Sequence, residues 1–135
     1  MAREVVDPLT CAVTSGTLYD TYTGTKIEIP GQVVQVDHRV AVKDAWRTNA
    51  AFWTLEERKR FYNDPLNLES TGGVTNDIKG FKNAKGWLPK KAYRCSYIAA
   101  QILVKDKYHL SVTPSEFETM ADIIQDCPRD IPVIQ

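Results

Sequence analysis

Four residues carry the chemistry that this sequence could do. Asp37 and His38 stand side by side at the end of a β-branched run, Gln32-Val33-Val34-Gln35-Val36. Asn67 lies in a second short stretch, Leu66-Asn67-Leu68-Glu69-Ser70, and Asn76 lies in the first turn of a helix-like segment that continues with Lys79. Neighbouring side chains of a strand face opposite ways, so Asp37 and His38 point to its two faces. Asp37 offers a carboxylate oxygen and Asn76 an amide oxygen. With waters and a substrate phosphate, such hard donors suit Mg²⁺, which keeps much of its hydration shell. An imidazole titrates near neutral pH and can take a proton from an attacking water. It works as a base only if one ring nitrogen is held as a donor, a task for the side-chain or backbone oxygen of Asn67. The chemistry so assembled is metal-assisted hydrolysis of a phosphodiester. The ion would stabilise the phosphorane charge and the leaving 3′ oxygen.

The elements that must position these residues follow from pattern. The N-terminal third reads as β and turn: Thr14-Ser15-Gly16 and Tyr22-Thr23-Gly24 are turn-like, and Lys26-Ile27-Glu28-Ile29 alternates before Pro30-Gly31. The run ending in Asp37-His38 is a strand, and Val42 to Arg47 is a short helix. Thr54-Leu55-Glu56-Glu57 is a capping box that opens a helix stopping near Asn63-Asp64-Pro65. Leu66 to Ser70 is a short strand and Gly72-Gly73 a turn. Val74 to Trp87 is helix-like, interrupted by Gly80 and Gly86 and ended by Pro89. Tyr93 to Tyr108 has Tyr97, Ala100, Gln101 and Val104 at helical spacing. Thr113-Pro114-Ser115-Glu116 is a second capping box, and Phe117, Met120, Ala121 and Ile124 then form one apolar face until Cys127-Pro128. A hairpin followed by a helix can gather Asp37, His38, Asn67 and Asn76 around one small cavity.

Composition bounds the setting. The chain has 135 residues, 43% hydrophobic and 25% charged, which is enough for a real core and excludes a disordered tail or a coiled coil. Net charge is zero, which argues against a histone-like polycation. Yet Val74 to Arg94 holds six basic residues (Lys79, Lys82, Lys85, Lys90, Lys91, Arg94) and one acid, Asp77. Such a stretch is as readily a solvated face as a site for a phosphate backbone. No run approaches the roughly 20 apolar residues that span a bilayer, and MAREVVDPLT lacks the apolar stretch of a signal peptide. Three cysteines (Cys11, Cys95, Cys127) without a CxxC pair, and two histidines, give poor support for structural zinc. One disulfide with a free thiol is conceivable, and three reduced thiols are simpler.

The wording of the sequence adds a resemblance. Val36-Asp37-His38-Arg39-Val40, followed by Ala45-Trp46-Arg47, resembles the first half of an HNH nuclease motif. Phe61-Tyr62-Asn63-Asp64-Pro65-Leu66-Asn67-Leu68, then Thr75-Asn76-Asp77-Ile78-Lys79-Gly80 and Trp87-Leu88-Pro89, is similar to its second half. The likeness is to the branch with an "NDPLNL … N..KG … WLP" signature, found in actinobacterial and phage proteins and in the nuclease part of some modification-dependent restriction enzymes. It covers roughly Cys11 to Cys127. It implies an α+β fold in which a ββα-metal (His-Me finger) core, about residues 32–88, sits in a single domain over 1–135. C-terminal helices would span about 93–127, with a loose tail at 128–135. It further implies His38 as general base, Asn67 as the residue orienting it, and Asp37 and Asn76 as ligands of one divalent ion, expected as Mg²⁺ with Mn²⁺, Ni²⁺ or Zn²⁺ as alternatives. Arg39, Lys79, Lys82, Lys85, Lys90 and Lys91 are the expected nucleic-acid contacts. Relatives commonly carry Arg where Asp77 stands, and Asp or Ser where Phe81 stands. In secreted relatives the pair matching Cys95 and Cys127 could be a disulfide; here the reduced form is the expectation.

The expected activity is therefore a metal-dependent DNA endonuclease, nicking or cutting with low sequence specificity. The substrate is double-stranded DNA, with single strands a second option; no membrane and no obligate protein partner is expected, and the chain is a monomer or dimer. The competing expectation is a nucleic-acid-binding module that keeps the fold without turnover. The expected location is the cytoplasm of a bacterium or phage-infected host, with a secreted mature form left open. Blander roles stand beside these. His109 reads as structural, Glu69 as a solvent-facing strand residue, and Trp46, Trp53 and Trp87 as packing anchors.

Overall fold

The computed structural model describes residues 3–6, 8, 9 and 13–131. It is a mixed α+β structure with two small sheets and, among the described residues, five α-helices. β1 (Arg3–Val6), β2 (Val13–Asp20) and β3 (Thr25–Ile29) form an antiparallel sheet with β2 in the centre. The expected turn at Thr14-Ser15-Gly16 is instead part of β2, where Ser15 pairs with Val5 and Gly16 pairs on both sides, with Glu4 and with Ile29. Cross-strand ladders override a local turn preference.

The second sheet is a hairpin-like pair with a long connection. β4 (Val34–His38) runs antiparallel to β5 (Leu68–Gly72), with His38 opposite Leu68 and Asp37 opposite Glu69. Between them come α1 (Val42–Thr48) and α2 (Leu55–Tyr62). The Thr54 capping box is formed, Thr54 accepting from the Glu57 amide and Glu57 accepting from the Thr54 amide. After α2 a single 3₁₀ turn, Pro65–Asn67, leads into β5, and α3 (Gly73–Lys79) follows at once.

The helix expected through Trp87 ends at Lys79. Gly80 takes a φ of 53°, a left-handed conformation that stops the helix at little cost only for glycine. Residues 80–90 then run as loop. At the other end of α3, a Cβ on Gly73 would meet Gln35 at 3.3 Å, so glycine lets the helix start close against β4.

α4 (Arg94–Lys107) and α5 (Pro114–Ile124) close the structure. α4 joins two cores. Tyr97 and Ile98 pack with Tyr22, Ala84, Tyr93 and Met120; Val104, with Tyr108 just beyond the helix, packs with Val40, Ala45, Phe61 and Leu110. The second capping box is formed at Thr113 and Glu116. Contrary to the expectation of reduced thiols, Cys95 and Cys127 form a disulfide, with Cα atoms 5.8 Å apart. The packing of α5 on α4 brings the chain leaving α5 to the first turn of α4. Cys11 and the end of the expected tail, 132–135, lie outside the described residues; residues 128–131 are irregular, with a turn at 129–130. No helix among the described residues is long and apolar enough to cross a membrane.

Candidate active site

β4, β5 and α3 bring the sequence candidates together. Strand alternation puts Gln35 and Asp37 on one face of β4, toward α3, and His38 on the other. Asn76 and Lys79, at i and i+3 on α3, meet that first face. Asn76 donates from Nδ2 to Gln35 Oε1 at 2.8 Å, which leaves its Oδ1 for another donor or a cation. Lys79 reaches one turn further. Its Nζ lies 3.3 and 3.2 Å from the two Asp37 oxygens and donates to the His38 carbonyl at 2.9 Å.

Asp37 is buried. Tyr22 from the β2–β3 turn donates its hydroxyl to Asp37 Oδ2 at 2.6 Å. Burial pushes the Asp37 carboxyl above the usual carboxylate range, and the Lys79 charge and the bonds from Tyr22 and Lys79 only partly offset this. Burial likewise pulls the Lys79 ammonium down, against the pull of Asp37. Tyr22 is held well above 10 by burial and then by the Asp37 charge, so it remains a donor.

On the outer face, His38 Nε2 lies 2.8 Å from the Tyr62 carbonyl, and its ring sits 4.5 Å from the Tyr62 ring. A carbonyl only accepts, so Nε2 carries the proton. The group orienting the imidazole is thus Tyr62 at the end of α2, where the sequence pointed to Asn67. Asn67 is fully buried and does a neighbouring task. Its Oδ1 accepts from the Val40 amide at 2.7 Å, its Nδ2 donates to the Val40 carbonyl at 3.1 Å, and its own carbonyl accepts from the Arg39 amide at 2.8 Å. It clamps the chain just after His38.

Two expected nucleic-acid contacts are in the interior. Lys79 is 0% exposed on Asp37, and Arg39 is 1% exposed, paired with Glu69 and donating to the Leu66 carbonyl. Both charges are neutralised inside and neither presents to a phosphate. Glu69, expected toward solvent, also accepts from Thr21 at 2.7 Å and Tyr93 at 3.0 Å. Lys82, Lys85, Lys90 and Lys91 are exposed. Of the tryptophans, Trp87 packs on Tyr22 and Tyr97 and Trp53 on Phe61 and Tyr108, whereas Trp46 stands half exposed. His109 is exposed on the loop before α5.

Among the described residues no group of three His, Cys, Asp or Glu converges on a point. The donors at the α3 face, one carboxylate and one amide oxygen, match a hard divalent ion in kind. Their arrangement is closed, since Lys79 and Tyr22 hold Asp37.

Sequence reasoning missed Tyr62, Tyr22 and Gln35. A backbone carbonyl carries no residue-type signal, and Tyr22 is 15 positions from Asp37, in the turn between β2 and β3.

Comparison with known proteins places the chain, though not this geometry, in a family. A curated relative, described as an uncharacterized secreted protein of Arthroderma benhamiae, is 34% identical over 120 residues. That match covers 87% of this chain and 58% of the relative, so the chain spans little more than half of that protein's length. No solved structure matches. The family model of the C-terminal domain of GmrSD restriction endonucleases matches residues 3–123, nearly the whole chain, and the protein belongs to that family.

Proposed function

We propose that this chain is a single nuclease domain that hydrolyses phosphodiester bonds in DNA, of the HNH type, with β4, β5 and α3 as its ββα-metal core. The observation that carries the reading is the bond from His38 Nε2 to the Tyr62 carbonyl. It leaves Nδ1 with its lone pair, able to take a proton from a water aimed at phosphorus. Membership in a restriction-endonuclease domain family supports the same substrate class. Asn67 fixes the backbone at Val40, and through it the position of His38. Lys82, Lys85, Lys90 and Lys91 supply positive charge for the phosphate backbone.

A divalent ion at Asp37 Oδ and Asn76 Oδ1 would stabilise the charge that develops on the phosphate. For Asp37 to take part, the Lys79 ammonium has to yield its place or share the carboxylate. That capping favours a second reading, a DNA-binding module without turnover.

Supercoiled plasmid incubated in EDTA, Mg²⁺, Mn²⁺, Ni²⁺ or Zn²⁺ separates the two. Nicked plasmid with a divalent ion and intact plasmid in EDTA is the expected result. Plasmid bound but intact under every condition would establish the binding module.

The Cys95–Cys127 disulfide persists in an oxidising compartment and is rare in the cytosol. Together with a relative described as secreted, it favours an extracellular nuclease over the expected cytoplasmic location.

A further inference from the structure

We propose that the surface built by α1, the end of α2 and Phe81 binds an unpaired DNA strand by stacking its bases on Trp46, Tyr62 and Phe81. The proposal rests on the nuclease reading and names the form of its substrate.

α1 buries Asp44 and Ala45 and turns two ridges outward. On the first ridge, Val42 and Trp46 wall an apolar groove of about 240 Å³, closed on the far side by Trp53, Phe61 and Tyr62. On the second, Lys43 and Arg47 lie over the Phe81 ring, 4.3 and 5.3 Å from its centre. Arg58 from α2 lies 4.8 Å from the Trp46 ring centre, held by its bonds to the Ala50 and Ala51 carbonyls. The three surface rings are 49%, 55% and 50% exposed, for Trp46, Tyr62 and Phe81. Tyr62 also packs against His38, so the groove ends at the candidate base.

Charge selects the occupant. Lys43, Arg47, Arg58 and Lys59 border this surface, and none pairs with a carboxylate among the described residues. Flat apolar walls edged by uncompensated cations fit a chain whose rings are flat and whose backbone is negative. A single strand offers both, and every base has a face to stack. A duplex offers phosphates and groove edges to the cations but keeps its ring faces inside its own stack, away from the apolar walls. A base seated between Trp46 and Tyr62 would leave its flanking phosphate beside His38.

The test is binding in EDTA, where no cutting intervenes. Fluorescence anisotropy is read with labelled oligo(dT) of roughly 15 nucleotides, within the usual site sizes, and with a duplex of equal length. The single strand should bind more tightly than the duplex. Trp46→Ala should weaken oligo(dT) binding roughly 5- to 150-fold, the usual loss of one stacking platform, and Trp46→Phe should retain most of it. Equal or tighter duplex binding, or unchanged affinity in Trp46→Ala, would overturn the proposal. So would a Trp46-dependent dimer in analytical ultracentrifugation, which would make the groove a self-interface. Plasmid nicking without Trp46-dependent oligo(dT) binding would sink stacking and leave the nuclease. Trp46-dependent binding with no cutting in any metal would do the reverse.

Discussion

Asn67 answers to backbone groups on both of its sides, and its loss would be felt through them. Replacing it with Ala strands the Val40 amide and carbonyl in the interior. Each buried polar group left without a partner costs about 1–3 kcal/mol. Chemical denaturation of Asn67→Ala should show a loss of about 2–6 kcal/mol for the two groups together with slower cutting. Wild-type stability with impaired cutting would instead assign Asn67 to the imidazole itself. At this scale the sequence revealed residue types but not their partners. Asp37, His38, Asn67 and Asn76 do converge on one hairpin and helix. Yet the imidazole is oriented by a main-chain carbonyl, which any residue in place of Tyr62 could provide. Arg39 and Lys79 have the composition of phosphate contacts, and only the fold shows that Glu69 and Asp37 neutralise them inside.

Elements were legible where local chemistry decides them. Both capping boxes, the stop at Asn63 and the α4 face at Tyr97, Gln101 and Val104 all rest on short-range rules, and each is formed. The extension of α3 to Trp87 failed on one glycine conformation, and the turn at Thr14-Ser15-Gly16 failed because strand pairing is non-local. Asp64 shows how elements are tied. It caps the 3₁₀ turn through the Leu66 amide and accepts from Lys107 at 2.6 Å and Tyr108 at 2.6 Å, joining α2 to α4. Burial raises its carboxyl, but the bonds from Lys107, Tyr108 and the Leu66 amide outweigh that and hold it below the usual range. A carboxyl depressed in the native state stabilises above its unfolded pKa of about 3.9, and the contribution fades as pH falls through the lower native value. Thermal melts should therefore show wild type more stable than Asp64→Asn at pH 6, with the gap closing below about pH 4. A gap that persists unchanged to the lowest pH would contradict this origin.

For the whole molecule, α4 is the mast on which both cores hang, and the disulfide fixes α5 to it. The bond closes a loop with a sequence separation of 32 residues, for which chain entropy predicts about 3–4 kcal/mol. Reduction with dithiothreitol should lower the unfolding free energy by that amount, and Cys127→Ser should be insensitive to the reductant. No change on reduction would mean that packing alone holds α5. The pairing was open in the sequence because three cysteines and their spacing leave partner and redox state undetermined.

The proposed cleavage stands or falls with His38 as the base. The most direct measurement compares supercoiled-plasmid nicking by wild type and His38→Ala, at equal oligonucleotide affinity and equal thermal midpoint. If His38 takes the proton, His38→Ala abolishes nicking, and added imidazole restores part of it by supplying the missing nitrogen. Nicking by His38→Ala at the wild-type rate would contradict it.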